Sequence, residues 1–268
     1  MQALRQIDDW PAAFAAAGVA GADGLLRTHG DAGHVVRLAS LSKPVVALAF
    51  LVAAEEGVVD LDEPAGPSGS TIRHLLAHTS GLPFEGETPI AEPGRRRIYS
   101  NEGFRVLADH LVARVEMPFP EYTRAAVCAP LRIGLDPSGD PGSGMRASLT
   151  DVLALGRELL APTLVAAETL DEMTSVQFPG LSGVLPDFGR FEPLDWGLGV
   201  QLNSSGPSWM GARTSPRSFG HFGGSGTFLW ADPDAGVACA ALTTHEFGDW
   251  AKRAWPVFSD AVLAELGR

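Results

Sequence analysis

The sequence predicts an α/β (α+β) fold, in which an antiparallel sheet is flanked by helices and a mostly helical second lobe is inserted into the chain. Extended patterns occur before residue 40 and again after residue 195, helical patterns fill most of the interval, and a helical pattern ends the chain. Because the strand patterns lie near both ends, we expect a discontinuous α/β lobe of residues 1–60 and 191–268 and a helical lobe of residues 61–190.

The first elements alternate between extended and helical patterns. The tail of a helix is predicted over residues 12–17, a strand runs from residue 24 to a Gly-Asp turn, and a second strand covers residues 33–39. Two short strands close together favour an antiparallel edge of the sheet over a βαβ unit. The apolar run at residues 44–54 has the length and composition of a buried helix, which stops near Gly57.

The rest of the chain alternates regular segments with loops. Composition predicts a loop at residues 58–70 and an irregular surface segment at residues 83–94 that lies close to any cleft. Helical patterns cover residues 71–78, 102–115, 121–126, 149–160 and 167–176. Strand patterns and a terminal helix follow, at residues 196–202, 220–226, 227–231, 237–242 and 249–266. Pro256 is expected to interrupt or bend the last helix.

The composition is that of an ordinary soluble globular protein, with 45% hydrophobic and 19% charged residues. Its 268 residues are enough to bury a large apolar core. The 20 basic and 32 acidic residues give a net charge of −12. Since nucleic acids and anionic membrane surfaces attract basic patches, neither is expected as a partner.

The sequence also predicts the cellular compartment of the protein. The first ten residues contain no apolar segment of the signal-peptide kind, and no apolar run is long enough to cross a bilayer. Cys128 and Cys239 are far apart and lack metal-ligand spacing, so we expect two buried thiols in a reducing compartment. The predicted location is therefore the cytoplasm, and no oligomeric state is predicted.

Ser40 lies at or just before the start of a predicted helix, in the motif Ser40-Leu41-Ser42-Lys43. The first amides of a helix have no internal partner and carry partial positive charge, so they can bind an oxyanion that forms beside Ser40. Lys43 lies about one turn away, and burial under apolar neighbours favours its neutral form, which can accept the serine proton. The alternative is a serine that only caps the helix.

Tyr99 and Asn101 lie two residues apart just ahead of the helix predicted at residue 102. In extended backbone their side chains share a face and can point into one cleft. A phenol whose pKa is lowered by a nearby cation can abstract or relay a proton, and an amide can orient a lysine or bind a substrate. The alternative is structural, with Asn101 as a helix cap and Tyr99 as a core aromatic.

Two further patterns favour structural interpretations. His74 and His78 have a spacing that can bind zinc, but no further ligand is placed to complete a site. We therefore predict no metal and expect these histidines to satisfy local backbone groups. The three arginines at residues 95–97 are expected to be solvated or paired with acidic neighbours.

With these motifs in order, the chain resembles the serine β-lactamase and penicillin-binding transpeptidase superfamily, and within it the branch of class C β-lactamases, D,D-peptidases and esterases. Three elements carry the resemblance: Ser40-Leu41-Ser42-Lys43, Tyr99-Ser100-Asn101 and His221-Phe222-Gly223. Two segments look like non-catalytic signatures of that branch: Leu75-Leu76-Ala77-His78-Thr79-Ser80-Gly81-Leu82 and Trp196-Gly197-Leu198-Gly199. The resemblance spans nearly the whole chain.

The resemblance implies an active site between the two lobes and a reaction through an acyl-enzyme. It implies that Ser40 attacks a carbonyl carbon and that Lys43 and Tyr99 share the proton transfers. Asn101 is expected to orient Lys43 or the substrate, and the substrate is also bound or oriented by two residues of the third motif, His221 and Gly223. The backbone amides of Ser40 and Gly224 are expected to form the oxyanion hole. No cofactor is implied.

One departure from the family bears on the substrate. Class C β-lactamases have a lysine where this chain has His221, and a neutral or partly charged histidine holds a substrate carboxylate less strongly. With no export signal in the sequence, we expect hydrolysis of a small ester or amide. The alternatives are β-lactamase or D,D-peptidase/D-aminopeptidase activity on a β-lactam or peptide, and a sensor module that penicillin acylates without turnover.

Overall fold

Strands from both ends of the chain build the largest sheet. In chain order the strands are β1 (Ala15–Gly21), β2 (Leu26–His29), β3 (Val36–Arg37), β4 (Arg97–Ile98), β5 (Arg146–Ala147), β6 (Gly183–Leu185), β7 (Gly189–Phe191), β8 (Gln201–Leu202), β9 (Phe219–Gly223), β10 (Thr227–Asp232) and β11 (Val237–Thr243). In this computed structural model, which describes residues 1–203 and 209–268, six strands pair in the order β2-β1-β11-β10-β9-β8. Every neighbouring pair is antiparallel, as the sequence predicts.

Five short strands form two smaller sheets. β3 pairs with β5 in an antiparallel ribbon, and β4, β6 and β7 form a three-stranded sheet. The second strand predicted before Ser40 is therefore shorter than expected and does not join the edge of the main sheet. Its continuation at Leu38 donates a backbone hydrogen bond to Met145 O at 2.9 Å. The chain thus leaves the sheet plane before it reaches Ser40.

Helices cover both faces of the main sheet. They are α1 (Lys43–Glu55), α2 (Ile72–Leu76), α3 (Glu102–Val115), α4 (Phe119–Thr123), α5 (Ala129–Leu131), α6 (Leu149–Glu158), α7 (Ala167–Met173) and α8 (Asp249–Leu266). The start of α6 follows from its sequence, because Ser148 and Asp151 form a reciprocal capping box. α8 continues through Pro256 without the predicted interruption.

The main sheet separates two apolar clusters. Successive side chains of a strand point to opposite faces. In β11, Ala240 and Leu242 belong to the cluster that contains α1 and α6, whereas Cys239 and Ala241 belong to the cluster that contains α8. Both faces of the central strands are therefore buried, which explains their continuous apolar sequence.

α1 lies inside the first cluster, as its composition predicts. Ten of its thirteen residues are buried, so it has no polar face. Each fully buried Val, Leu or Phe side chain contributes about 1.5–3 kcal/mol to stability. The first turn of α1, which adjoins Ser40, is consequently held by a well-packed helix.

The helix tail predicted over residues 12–17 is wrong, because Ala15–Gly21 forms strand β1 between β2 and β11. Its small side chains let α6 pack closely on the sheet. A Cβ on Gly18 would lie 2.8 Å from Leu153 Cδ1, closer than carbon atoms approach without displacement. The alanine-rich sequence therefore reflects close helix–sheet packing, which overrides its helix propensity.

In the middle of the chain, the structure differs from the sequence-based expectation at two places. β4, β6 and β7 have two or three residues each, too few for a period-two signal. The three arginines are expected to be solvated or paired with acidic neighbours, but Arg97 is 2% exposed and its hydrogen bonds go to backbone carbonyls. Its guanidinium donates to four backbone carbonyls, those of Ala77, Gln177, Phe178 and Leu194. Carbonyl oxygens take the place of water around this charge.

Cys128 and Cys239 are buried free thiols, as predicted. Burial raises the pKa of the Cys128 thiol to about 11. None of the helices in the described residues has the length and hydropathy needed to span a membrane.

Candidate active site

Ser40 lies in a 3₁₀ turn, Ala39–Ser42, between β3 and α1. α1 begins at Lys43, with Pro44 in the first turn, where its missing N–H costs no intrahelical hydrogen bond. Ser40 is partly exposed while Ser42 and Lys43 are fully buried. The hydroxyl of Ser40 therefore meets solvent on one side and the protein interior on the other.

The Lys43 amine lies directly behind Ser40. Its Nζ is 3.3 Å from Ser40 Oγ, 2.7 Å from Asn101 Oδ1 and 2.9 Å from Gly142 O. The side chain is fully buried. These contacts fix the amine so that it faces the serine hydroxyl.

Burial is also the main reason that the pKa of Lys43 is lowered from 10.5 to about 7. The carboxylates of Asp140 and Glu85 oppose this shift, and the charge of Arg105 adds to it. Near neutral pH a large fraction of the amine is consequently neutral and can accept a proton. This agrees with the expectation from the sequence.

We expect the Lys43 amine to titrate near pH 7. The chain has two lysines, Lys43 and Lys252, so a sample labelled with ¹³C at lysine Cε gives two signals, which Lys252→Met assigns. Since only the neutral amine accepts a proton, the rate of Ser40 acylation should rise with pH through this pKa and level off above it. A Lys43 signal that stays unchanged between about pH 5 and 9 contradicts this prediction.

Asn101 precedes α3 but its side chain does not cap the helix. Its Oδ1 accepts from Lys43, and its Nδ2 donates to Glu85 Oε1 at 3.0 Å. Arg105 lies behind this pair, 2.5 Å from Glu85 Oε2 and 2.7 Å from Asp140 Oδ2. The amide is therefore locked with its oxygen toward the lysine.

Tyr99 is 9% exposed and lies beside Lys43, whose Nζ is 4.7 Å from the centroid of the phenol ring. Burial raises the pKa of Tyr99 above its usual range, while a hydrogen bond with the Ser40 side chain acts in the opposite direction. The sequence-based idea of a phenol with a lowered pKa is therefore wrong. The neutral hydroxyl is suited to relay a proton, and Lys43 is the better base.

His221 contacts Tyr99 from β9. Its Nδ1 is 2.7 Å from Phe222 O and donates to it, so Nε2 accepts from the Tyr99 hydroxyl at 3.4 Å. Burial and the charge of Lys43 lower the pKa of His221 to about 3. The ring is neutral and both nitrogens have partners inside the protein.

His74 and His78 do not share a site. His74 Nδ1 is 2.9 Å from Thr71 Oγ1, whereas His78 Nδ1 accepts from the backbone N–H of Ser100 at 3.1 Å. The prediction that both histidines satisfy local backbone groups is therefore not met, because His74 contacts a side chain and the backbone partner of His78 is distant in the chain. Within residues 1–203 and 209–268, no group of three or more His, Cys, Asp or Glu side chains is arranged to hold a metal ion.

Gly223 ends β9 against the segment that precedes Ser40. A Cβ at this position would overlap the carbonyl oxygen of Leu38. That same oxygen accepts from Thr227 Oγ1 at 2.8 Å. A glycine is therefore needed here for close packing of the strand on the protein itself. That Gly223 also binds or orients the substrate stays a prediction.

Gly224, by contrast, borders open space. No atom lies within 4 Å of a Cβ built there. Ser40 and Gly224 line the same two cavities. That their backbone amides form the oxyanion hole, as the resemblance implies, stays a prediction.

Two cavities open beside Ser40. The larger, of about 660 Å³, is mostly polar and includes Arg37, Asn101 and Gly224. The smaller, of about 130 Å³, includes Tyr99, His221 and Gly224. Ser40 therefore lines both cavities, with Asn101 beside it in the larger one and Tyr99 and His221 beside it in the smaller one.

Two features near Ser40 could not be found from the motifs. Glu85, Arg105 and Asp140 form the charged network behind Asn101. Phe84, next to Glu85, lines both cavities. The only signal was the irregular composition of residues 83–94, which placed that segment near the cleft without naming a contact.

Known proteins with similar sequences and structures share this arrangement of elements. A family model described as Beta-lactamase matches residues 6–261. A crystal structure of a beta-lactamase from Mycobacterium bovis is 50% identical, with a TM-score of 0.96 over 98% of both chains. EstCE1, described as a hydrolase with promiscuous acyltransferase activity, is 19% identical, with a TM-score of 0.77 over 97% of this chain and 96% of its own. This similarity shows a common fold.

A curated relative matches a shorter segment. A penicillin-binding protein of Bacillus subtilis (strain 168) is 30% identical over 35% of this chain. The match spans 28% of that protein's own length.

Proposed function

Because the chain belongs to the beta-lactamase family, we propose that it is a serine hydrolase that forms an acyl-enzyme on Ser40 with a small ester or amide. The observation that carries this proposal is the 3.3 Å contact between Ser40 Oγ and the Lys43 amine. That amine is fully buried and its pKa is lowered to about 7, so it can act as a base at neutral pH.

Acylation follows from the positions of these groups. Lys43 accepts the hydroxyl proton while Ser40 Oγ bonds to the carbonyl carbon. The amides of Ser40 and Gly224 bind the oxyanion, and each donor of this kind contributes about 3 kcal/mol to transition-state stabilisation. When the bond to the leaving group breaks, the Tyr99 hydroxyl protonates it and recovers a proton from the Lys43 ammonium.

Deacylation uses the same groups in reverse. Water gives a proton to the neutral Lys43 amine and attacks the acyl carbon, and the oxyanion again lies between the two amides. Collapse of the intermediate releases a carboxylic acid and returns the proton to Ser40. In this scheme Asn101 orients Lys43, and His221 positions the Tyr99 hydroxyl, because its own nitrogens already have partners.

Because His221 is neutral, it cannot hold a substrate carboxylate by charge. This favours ester and amide substrates that carry no carboxylate. A buried ring with a pKa of about 3 offers no positive charge at neutral pH. The similarity to EstCE1, described as a hydrolase with acyltransferase activity, fits this preference. β-Lactam hydrolysis is the second candidate, because the 50% identical protein from Mycobacterium bovis is named a beta-lactamase.

Intact-mass spectrometry after separate incubation with a fluorophosphonate, p-nitrophenyl acetate and a penicillin tests the proposal. We expect one fluorophosphonate adduct per chain and rapid turnover of the ester, since a buried amine contacts the serine. Rapid penicillin turnover would favour the second candidate, and a stable penicillin adduct without ester turnover would favour a sensor. If none of the three reagents acylates the protein, the serine-hydrolase proposal is wrong.

A further inference from the structure

An apolar groove of about 420 Å³ adjoins the small cavity at Ser40. Most of its exposed lining is apolar and comes from Phe84, Ile90, Ile98, Tyr99, Val184 and Pro186, and Arg96, Arg97 and Arg190 also border it. Eight large apolar side chains are strongly exposed in the described part of the chain, and three of them, Phe84, Ile90 and Val184, lie in this groove. Exposed apolar side chains concentrated in one concave place indicate a binding surface.

The groove is a neighbour of the reaction site. Phe84, Tyr99 and Pro186 line both the groove and the small cavity that includes Ser40. The two cavities therefore meet at these three side chains. This position beside Ser40 favours part of the substrate over a separate partner as the occupant of the groove.

We propose that the groove binds the apolar leaving group of the substrate, which is the alcohol part of an ester or the amine part of an amide. This inference rests on the proposed function. Tyr99 lines the groove, and its hydroxyl is directed to His221 and Ser40 in the adjoining small cavity. A leaving group in the groove has its departing oxygen or nitrogen beside that hydroxyl, from which it takes a proton as the bond to the carbonyl carbon breaks.

The acyl part then occupies the other cavity. That cavity is polar and includes Asn101, Glu85 and Arg37, which suit a small or polar acyl group and not a long apolar one. The substrate class is thus an ester or amide of a medium-length apolar alcohol or amine. Each methylene buried in the groove should raise kcat/KM up to about fourfold.

Alkyl acetates from ethyl to octyl, with acid release followed by titration, test the groove while the acyl group stays constant. We expect kcat/KM for octyl acetate to exceed that for ethyl acetate more than about 30-fold. Val184→Asp should reduce this ratio at least about tenfold, because a carboxylate in the groove must lose water when a long alkyl chain binds. Val184 is 55% exposed, so a carboxylate there is solvated in the free protein.

The matched control is Val257→Asp, because Val257 is 62% exposed on α8 outside the groove. It should leave the octyl-to-ethyl ratio unchanged. Ile90→Asp provides a second variant, since Ile90 is 55% exposed on an irregular segment of the groove wall. It should reduce the ratio as Val184→Asp does. A ratio near one in the unmodified protein, or a ratio that neither groove variant changes, overturns the proposal.

A second series, p-nitrophenyl acetate to octanoate, varies the acyl chain and keeps the leaving group constant. Val184→Asp should leave the chain-length dependence of this series unchanged. If it instead weakens only the long acyl chains, the assignment of the groove to the leaving group is wrong. If the fluorophosphonate fails to label the protein, the serine-hydrolase function itself is refuted. If it labels the protein but the groove variants leave the octyl-to-ethyl ratio unchanged, only the role of the groove is refuted.

Discussion

Ser40→Ala should lower kcat/KM for p-nitrophenyl acetate at least about 10⁴-fold and abolish labelling by the fluorophosphonate. The substitution removes the atom that forms the acyl bond. It leaves the Lys43 amine in contact with Asn101 Oδ1 and Gly142 O, so the site keeps two of its three contacts to this amine. The measurements are steady-state hydrolysis and the intact mass after exposure to the reagent.

Ser143→Ala is a suitable control for this variant. Ser143 lines the larger cavity together with Ser40, and its hydroxyl donates to Asp140 Oδ1 instead of contacting the lysine. We expect it to be labelled as fast as the unmodified protein. Labelling of Ser40→Ala at the normal rate would place the nucleophile elsewhere and refute the assignment of Ser40.

Lys43→Met should lower kcat/KM about 10³-fold while the protein still folds, because the proton acceptor is lost and the side-chain length is kept. Asn101 Oδ1 and Gly142 O each lose a donor, at a cost of about 1–3 kcal/mol. Removal of a buried amine from an apolar environment offsets part of that cost. Hydrolysis rates and thermal unfolding measured together separate the two effects.

The second lysine supplies the control. Lys252→Met changes a side chain on α8 whose Nζ is 3.2 Å from Asp249 Oδ1, an exposed ion pair that contributes little to stability. Its activity and unfolding temperature should match those of the unmodified protein. If Lys43→Met kept activity within about tenfold, another group would have to accept the serine proton.

The candidate site was largely predictable because its chemistry is encoded over short distances along the chain. Ser40 and Lys43 are one turn apart. The apolar run that follows them predicts a buried helix without knowledge of the segments that pack on it. Tyr99 and Asn101 are likewise neighbours before α3. The roles of these residues remain predictions until the variants are measured, as does the division into lobes at residues 61 and 190.

Some expectations failed where packing decides the conformation. Ala15–Gly21 has the composition of a helix but lies between two strands, because its small side chains fit against α6. Arg97 belongs to a basic triplet yet is buried by carbonyl partners from distant segments. Neither outcome can be computed from a local pattern, since the partners are 20 to 100 residues away or on other elements.

The sequence by itself determined the family, the antiparallel α/β architecture and the order of the motif residues, because periodicity, capping and motif spacing are local properties. Only the tertiary structure decided the protonation chemistry. Burial lowers the pKa of Lys43 and raises that of Tyr99. Burial also lowers the pKa of His221, so its ring is neutral. The apolar groove also exists only after folding, when Phe84, Ile90 and Val184 meet from segments far apart in the chain. Solvent exclusion depends on every neighbour at once, which no single stretch of sequence specifies.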